Sequence, residues 1–195
     1  MILGMNDRRP LGQRENSMPR WDLTPHGVIV DEETFAFITE LETRKATRLQ
    51  YALSALAIRP EPSGGGEIAD PGRVGEQLAR TISAVIRGTD LVGVAPDSCA
   101  VKVLLTGGVL ADLPAIIRRI TDEVGHHRFE TNGQRATLVL SIGGSCFPTT
   151  TNSPRALLLQ ADVLAEEARR EPAAYSRYRL HGRLGLDAEG PTDTR

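Results

Sequence analysis

The sequence predicts an α+β fold, a mixed β-sheet with helices on its faces. Two observations lead there. Apolar residues recur at helical spacing in four separate stretches, and short runs rich in Val, Ile and Leu, bounded by Gly, Pro and Asp, lie between them. With the first helix set aside, the elements run strand, helix, strand, strand, helix, strand, and then a final helix.

In chain order, the first twenty or so residues are polar and Arg-rich and carry no hydrophobic period. Residues 1–22 therefore read as a tail, with Trp21 as its one late anchor. From Asp31, the residues Phe35, Ile38, Leu41 and Leu49 recur at helical spacing, with Asp31, Glu32 and Glu33 where acids suit the helix dipole. Tyr51 to Ile58 reads as a buried central strand ended by Pro60 and Pro62, and Pro60 to Gly72 as a loop. Val74, Leu78, Ile82 and Val85 or Ile86 share a face of the next helix, and Gly88 lies just past its end. Leu91–Val94 and Cys99–Leu105 form two strands around a turn containing Pro96 and Asp97. A helix over about 110–123 turns Leu113, Ile116, Ile117 and Ile120 inward, and Ala136–Ile142 is a long strand. Ser153-Pro154 starts the last helix, which buries Leu158, Ala161, Ala165 and Ala168. One domain over 23–181 follows, with a second polar tail at 182–195. The order is the split β-α-β arrangement of ferredoxin-like folds, which also hosts nucleotidyl cyclases, so topology leaves function open.

Composition narrows the classes. At 195 residues the chain is about one domain in size, and its formal net charge of −2 gives no bias toward a nucleic-acid polymer or an anionic membrane. No window supplies the run of about 18 apolar residues that a membrane span needs, and the N-terminus lacks the apolar core of a secretory signal. Cys99 and Cys146 are far apart and without metal-ligand spacing. A cytoplasmic protein with reduced, buried thiols is expected.

Four motifs, spread over residues 24–180, carry a resemblance. Thr24-Pro25-His26-Gly27 through Phe35 leads into the first helix. Val74-Gly75-Glu76-Gln77-Leu78 starts the second. Arg87-Gly88-Thr89-Asp90 stands just before the two-strand turn. Ser141-Ile142-Gly143 is followed by Ala161-Asp162. In this order the motifs resemble the GGDEF domain, the bacterial diguanylate cyclase module. That resemblance implies a nucleotidyl-cyclase-like fold. In the family, two GTP molecules are joined into cyclic di-GMP on divalent metals held by carboxylates.

Where the family carries its Gly-Gly-Asp-Glu-Phe turn, this chain reads Ala95-Pro96-Asp97-Ser98-Cys99. Asp97 is the only carboxylate between Leu91 and Leu105, and the metal-binding Asp expected at the end of the first strand falls at Ala57-Ile58-Arg59. The turn's glycines are replaced by Ala95 and Pro96, which keeps backbone away from a phosphate. The expectation is a vestigial turn, with no catalytic residue, no metal, no cofactor and no cyclase activity. Asp31 and Glu40 match the family's guanine-reading positions. Both could accept from guanine N1–H and N2–H, but Asp31 cannot donate to O6, and a helix start accounts for its acid.

The resemblance also implies an inhibitory Arg-x-x-Asp site for cyclic di-GMP at Arg87 and Asp90, with Arg118 or Arg119 as the second basic partner. The competing account is that Arg87 and Asp90 close a helix end and open a turn. Gly64-Gly65-Gly66 reads as a linker, His126-His127 as a solvated turn, and Arg169-Arg170 as a helix C-terminal charge run that could also stand where the family has a phosphate-binding Lys. Two functions remain. One is a catalytically inactive GGDEF-like signalling protein that binds cyclic di-GMP and relays it to a protein partner or homodimer. The other is a ligand-free scaffold of the same fold. Because the length leaves no room for a receiver or sensor domain, input is expected through a ligand or another polypeptide.

Overall fold

The computed structural model describes residues 26–131, 134–171 and 175–181. The two expected tails, Trp21 and Thr24-Pro25 lie outside the described residues. The chain runs through β1 (Val28–Asp31), α1 (Glu32–Leu49), β2 (Leu53–Pro62), α2 (Pro71–Ser83), β3 (Leu91–Val94) and β4 (Val101–Thr106). A 3-10 turn at Leu110–Asp112 leads into α3 (Leu113–His126), followed by β5 (Phe129–Thr131), β6 (Gln134–Ala136), β7 (Leu138–Phe147), α4 (Pro154–Arg169) and β8 (Arg177–Leu180). Six strands form one mixed sheet in the order β1-β3-β4-β2-β7-β8, while β5 and β6 pair separately as a hairpin. The outer pairs β1–β3 and β7–β8 are parallel and the inner pairs antiparallel. The mixed sheet with helices on its faces is the predicted fold class.

Each face of the sheet has its own core. Leu56 and Ile58 of β2, Val101, Val103 and Leu105 of β4, and Leu140 and Ile142 of β7 point toward Val74, Leu78 and Ile82 of α2 and Ile117 and Ile120 of α3. The opposite face is built of smaller side chains, Ala55 and Ala57 of β2 among them, and receives Phe35 of α1 and Leu157, Ala161 and Ala165 of α4. The reason for small residues there is the seating of α4. A Cβ on Gly143 would stand 2.0 Å from the Ala161 carbonyl and 2.2 Å from the Ala165 nitrogen. Only glycine lets β7 and α4 approach that closely.

Several boundaries differ from the sequence reading, each for a physical reason. Strand β2 runs through Pro60 to Pro62, paired with β7 as Pro60↔Leu140 and Pro62↔Leu138. Ser63 donates its N–H to Thr137 O at 3.0 Å, so alternation turns the two prolines' missing donors to the other edge. There β4 no longer runs alongside, since its first residue, Val101, lies opposite Ile58. In α1 the buried stripe is Phe35, Thr39, Thr43 and Ala46, while Leu41 and Leu49 are exposed. The threonines tolerate burial because Thr39 and Thr43 return their hydroxyls to carbonyls four residues back, at 2.7 Å each. Leu157 rather than Leu158 is the fully buried leucine of α4, and Val124 joins Leu113, Ile117 and Ile120 in α3, with Ile116 only half-buried. Strand β4 starts at Val101, two residues after Cys99. The long strand predicted from Ala136 is divided: Ala136 closes β6, and β7 begins at Leu138. Strands β1, β5, β6 and β8 were not anticipated as strands. Ser153 is the cap the sequence predicts and accepts from Ala156 N–H at 3.2 Å; Asp31, expected in the first turn, and Asp70, expected within the loop, also cap, accepting from Thr34 N–H at 2.8 Å and Arg73 N–H at 3.1 Å.

Candidate functional site

Two places collect the chemistry, at opposite ends of β3 and β4. The first is the Arg-x-x-Asp corner. Asp90 ends the loop after α2 and is buried, with 4% of its surface exposed. One carboxylate oxygen accepts from the Arg87 N–H and the other from the Thr106 N–H, both at 3.0 Å. Its own carbonyl accepts from Val28 N–H at 2.9 Å, and Ser83 Oγ donates to Gly27 O at 2.5 Å beside it. One residue, through its side chain and its carbonyl, thus ties together β1, the end of β4 and the turn after α2. Burial pushes the Asp90 carboxyl above its ordinary pKa, opposed by the two backbone donors and by the charges of Arg87 and Arg119.

The side chains of Arg87, Arg118 and Arg119 are exposed around this corner. Arg118 and Arg119 line a shallow depression of about 380 Å³ together with Val85 and His126. Arg118 pairs with Asp122 at 3.8 Å, whereas no described carboxylate stands within ion-pair distance of Arg87 or Arg119. The structure therefore brings Arg119 and Arg87 to the Asp90 corner and places Arg118 at its rim.

The second place is a cleft of about 400 Å³ between α1, β2, β3, β4 and α4, lined by Glu32, Phe35, Arg59, Ala95, Lys102 and Asp162 among others. Arg59 lies 3.6 Å from Asp162 and 3.7 Å from Glu166, and Lys102 lies 3.7 Å from Asp162 and 3.4 Å from Glu32. The pairing continues along the sheet: Arg169 meets Glu166 at 3.7 Å and Glu61 at 3.2 Å, and Glu61 meets Arg177 at 2.5 Å. Glu32, Lys102, Asp162, Arg59, Glu166, Arg169, Glu61 and Arg177 thus form a chain of alternating charge that binds α4 to β2, β4 and β8. Lys102, Glu61, Glu166 and Arg177 were missed in the sequence. The one signal for Lys102 is a cation between Val101 and Val103, which both face the other way.

The turn Ala95–Cys99 forms a wall of this cleft and leans on α2. A Cβ on Gly72 would stand 2.1 Å from Pro96 O, and one on Gly75 would stand 2.2 Å from Ser98 O. Those glycines let the helix start press against the turn's backbone. Asp97 is exposed. Cys99 is half-buried and Cys146 buried, both free thiols, and burial pushes the Cys99 thiol up, away from the reactive thiolate.

Divalent metals are what the GGDEF resemblance implies for this cleft, and its residues do not fit them. Arg59 and Lys102 occupy it as cations, and among the described residues no three His, Cys, Asp or Glu side chains are grouped to hold a metal ion. Asp31 is engaged as a helix cap, both oxygens taken by Thr34, which lowers its pKa. Glu40 pairs with Arg44 on the α1 surface. His126 ends α3, with Nδ1 2.6 Å from Asp122 O, and His127 packs edge-on against Phe129. Arg169 belongs to the ion chain.

No protein-family model matches the chain, and neither does any curated protein. Solved structures do. The GGDEF domain of PA1120 (YfiN or TpbB) from Pseudomonas aeruginosa superposes with a TM-score of 0.66 at 25% identity, covering 78% of this chain and 96% of that one. The FimX GGDEF domain from the same organism gives 0.62 at 20% identity, covering 78% and 93%. The GGDEF domain of DgcB from Caulobacter crescentus, solved in complex with c-di-GMP, gives 0.60 at 11% identity, covering 78% and 90%. The chain has the fold of GGDEF domains.

Proposed function

From a chain that carries the GGDEF fold, we propose a signalling protein that binds cyclic di-GMP without making it. The ligand sits at the Arg-x-x-Asp corner on the guanidinium groups of Arg87 and Arg119, with Arg118 at the rim. The observation that carries this reading is the pair Arg87 and Arg119, both exposed, both acting on Asp90, and neither paired with a carboxylate among the described residues. Two free guanidinium forks suit a ligand with two phosphates. Asp90 is here a positioning residue that fixes the Arg87 backbone. The DgcB complex, on the same fold, supports the ligand class. Arg59 and Lys102 in the cleft argue against turnover, because cyclase chemistry needs carboxylate-held metals there. Acting in the cytoplasm, the bound ligand would bridge two copies or stabilise a partner-binding surface. No helix among the described residues is long and apolar enough to cross a membrane.

Calorimetry with cyclic di-GMP tests the reading. Micromolar binding that Arg87→Ala and Arg119→Ala each weaken is expected, with no cyclic di-GMP formed from GTP and Mg²⁺. Absence of heat at high micromolar ligand sinks it. One observation favours the scaffold reading instead: both Asp90 oxygens are already taken by backbone donors. Its signature is a discrete protein partner and a melting temperature that nucleotides leave unchanged.

A further inference from the structure

The helix layer of α1 and α4 is apolar on the side away from the sheet as well as on the side against it. Toward the sheet, α1 buries Phe35, Thr39, Thr43 and Ala46, and α4 buries Leu157, Ala161, Ala165 and Ala168. Away from it, α1 exposes Leu41 and Phe37, the latter with 66% of its surface open, and α4 exposes Leu159 and Val163. Threonines and alanines are thus buried while phenylalanine, leucine and valine face out. A helix apolar on both sides is a helix covered on both, and clustered exposed apolar side chains mark a protein contact. We infer that this outer face is the contact between two copies of the chain, with α1 of one copy packed antiparallel on α1 of the other.

Charge selects both the occupant and its direction. Glu33, Phe37, Leu41, Arg44 and Arg48 recur at helical spacing and form one exposed stripe of α1, opposite the buried one. The stripe is acidic at its start, apolar in its middle and basic at its end. The ion pairs of α1 join Glu32 to Lys102, Glu40 to Arg44 and Glu42 to Lys45, and none of them takes up Glu33 or Arg48. A two-fold axis near Glu40 and Leu41 satisfies this stripe with itself. It sets Leu41 against Leu41 of the second copy, the Phe37 ring beneath the Arg44 guanidinium of the second copy, and Glu33 opposite Arg48 of the second copy. Symmetry makes the last two contacts twice. Parallel packing would instead set Glu33 against Glu33 and Arg48 against Arg48, which like-charge repulsion opposes. Two helices alone make a small contact, and Leu159 and Val163 of the neighbouring helix enlarge it. Neither the Asp90 corner nor a nucleotide takes part, so the contact stands apart from the cyclic di-GMP reading.

The test is sedimentation equilibrium of the full chain without nucleotide, from low to high micromolar concentration. A monomer–dimer equilibrium is expected. Phe37→Ser should shift it toward monomer, and Glu33→Arg and Arg48→Glu should each weaken the dimer about tenfold, since each places two like-charge pairs in the contact. All three positions are exposed, so circular dichroism should show each variant folded. The decisive sample is a mixture. The Glu33→Arg chain carries arginine at both ends of the stripe and the Arg48→Glu chain glutamate at both, so the two together should form a heterodimer that neither forms alone. Arg87→Ala should leave the dimer unchanged. The inference is overturned by a chain that stays monomeric at high micromolar concentration, or by a dimer that Phe37→Ser leaves intact. A mixture that stays monomeric overturns it as well, as does a dimer that appears only with cyclic di-GMP, which would assign association to the other corner.

Discussion

The Asp90 corner and the Arg59 cleft hold comparable charges and treat them in opposite ways. At the corner, both carboxylate oxygens accept backbone N–H groups at 3.0 Å and the side chain is buried, so the charge is committed to the fold. In the cleft, Arg59 and Asp162 face each other at 3.6 Å with no hydrogen bond between them. Coulomb attraction without hydrogen bonding holds charges near one another but leaves their donors and acceptors for something else. One charge of the molecule is thus committed to the fold by hydrogen bonds while another is held by attraction alone.

Four substitutions break or sharpen that contrast. Asp90→Ala carries the largest effect. It strands the Arg87 and Thr106 N–H groups, and a loss of about 3 kcal/mol is expected by urea denaturation. A loss below about 1 kcal/mol would mean the corner is no more committed than the cleft. Gly75→Ala comes next, at about 2 kcal/mol, because its methyl meets the Ser98 carbonyl, a backbone atom that cannot swing aside. The melting temperature should fall, and a neutral result would show the turn to be free of α2. Arg59→Gln should change stability by less than about 1 kcal/mol, since partly exposed ion pairs contribute little; a loss matching that of Asp90→Ala would erase the comparison. The smallest effect is a slope with pH. The folded chain holds the Asp90 proton more tightly than the unfolded chain does, so unfolding releases it between the ordinary carboxylate value of 3.8 and the raised folded value. Asp90 therefore adds stability as pH falls through that window and loses it as pH rises. The stability difference between wild type and Asp90→Asn, followed across acid pH, should show this slope.

The central strands and all four helices were legible because each writes its period into consecutive residues. The stripe of α1 was not, since a threonine buried on its own helix's carbonyls looks polar in a sequence. Nor was β8: Arg177-Tyr178-Arg179-Leu180 reads as surface until Arg177 is seen to pair with Glu61, 116 positions away. At the candidate site, the Arg-x-x-Asp spacing was visible but the role of Asp90 was hidden, because one of its two partners, Thr106, lies sixteen residues on. The ion chain draws on α1, β2, β4, α4 and β8, and no local pattern announces it.

The alternation of that chain has a consequence for any attempt to build a metal site there. Arg59 is the link between Asp162 and Glu166, so Arg59→Asp would leave three neighbouring anions where two were bridged. Repulsion would loosen α4 from the sheet, and a hard divalent cation would become the cheapest way to bring it back. Such a variant should melt earlier in EDTA than in millimolar Ca²⁺ or Mg²⁺, its cohesion made to depend on the mineral content of its buffer.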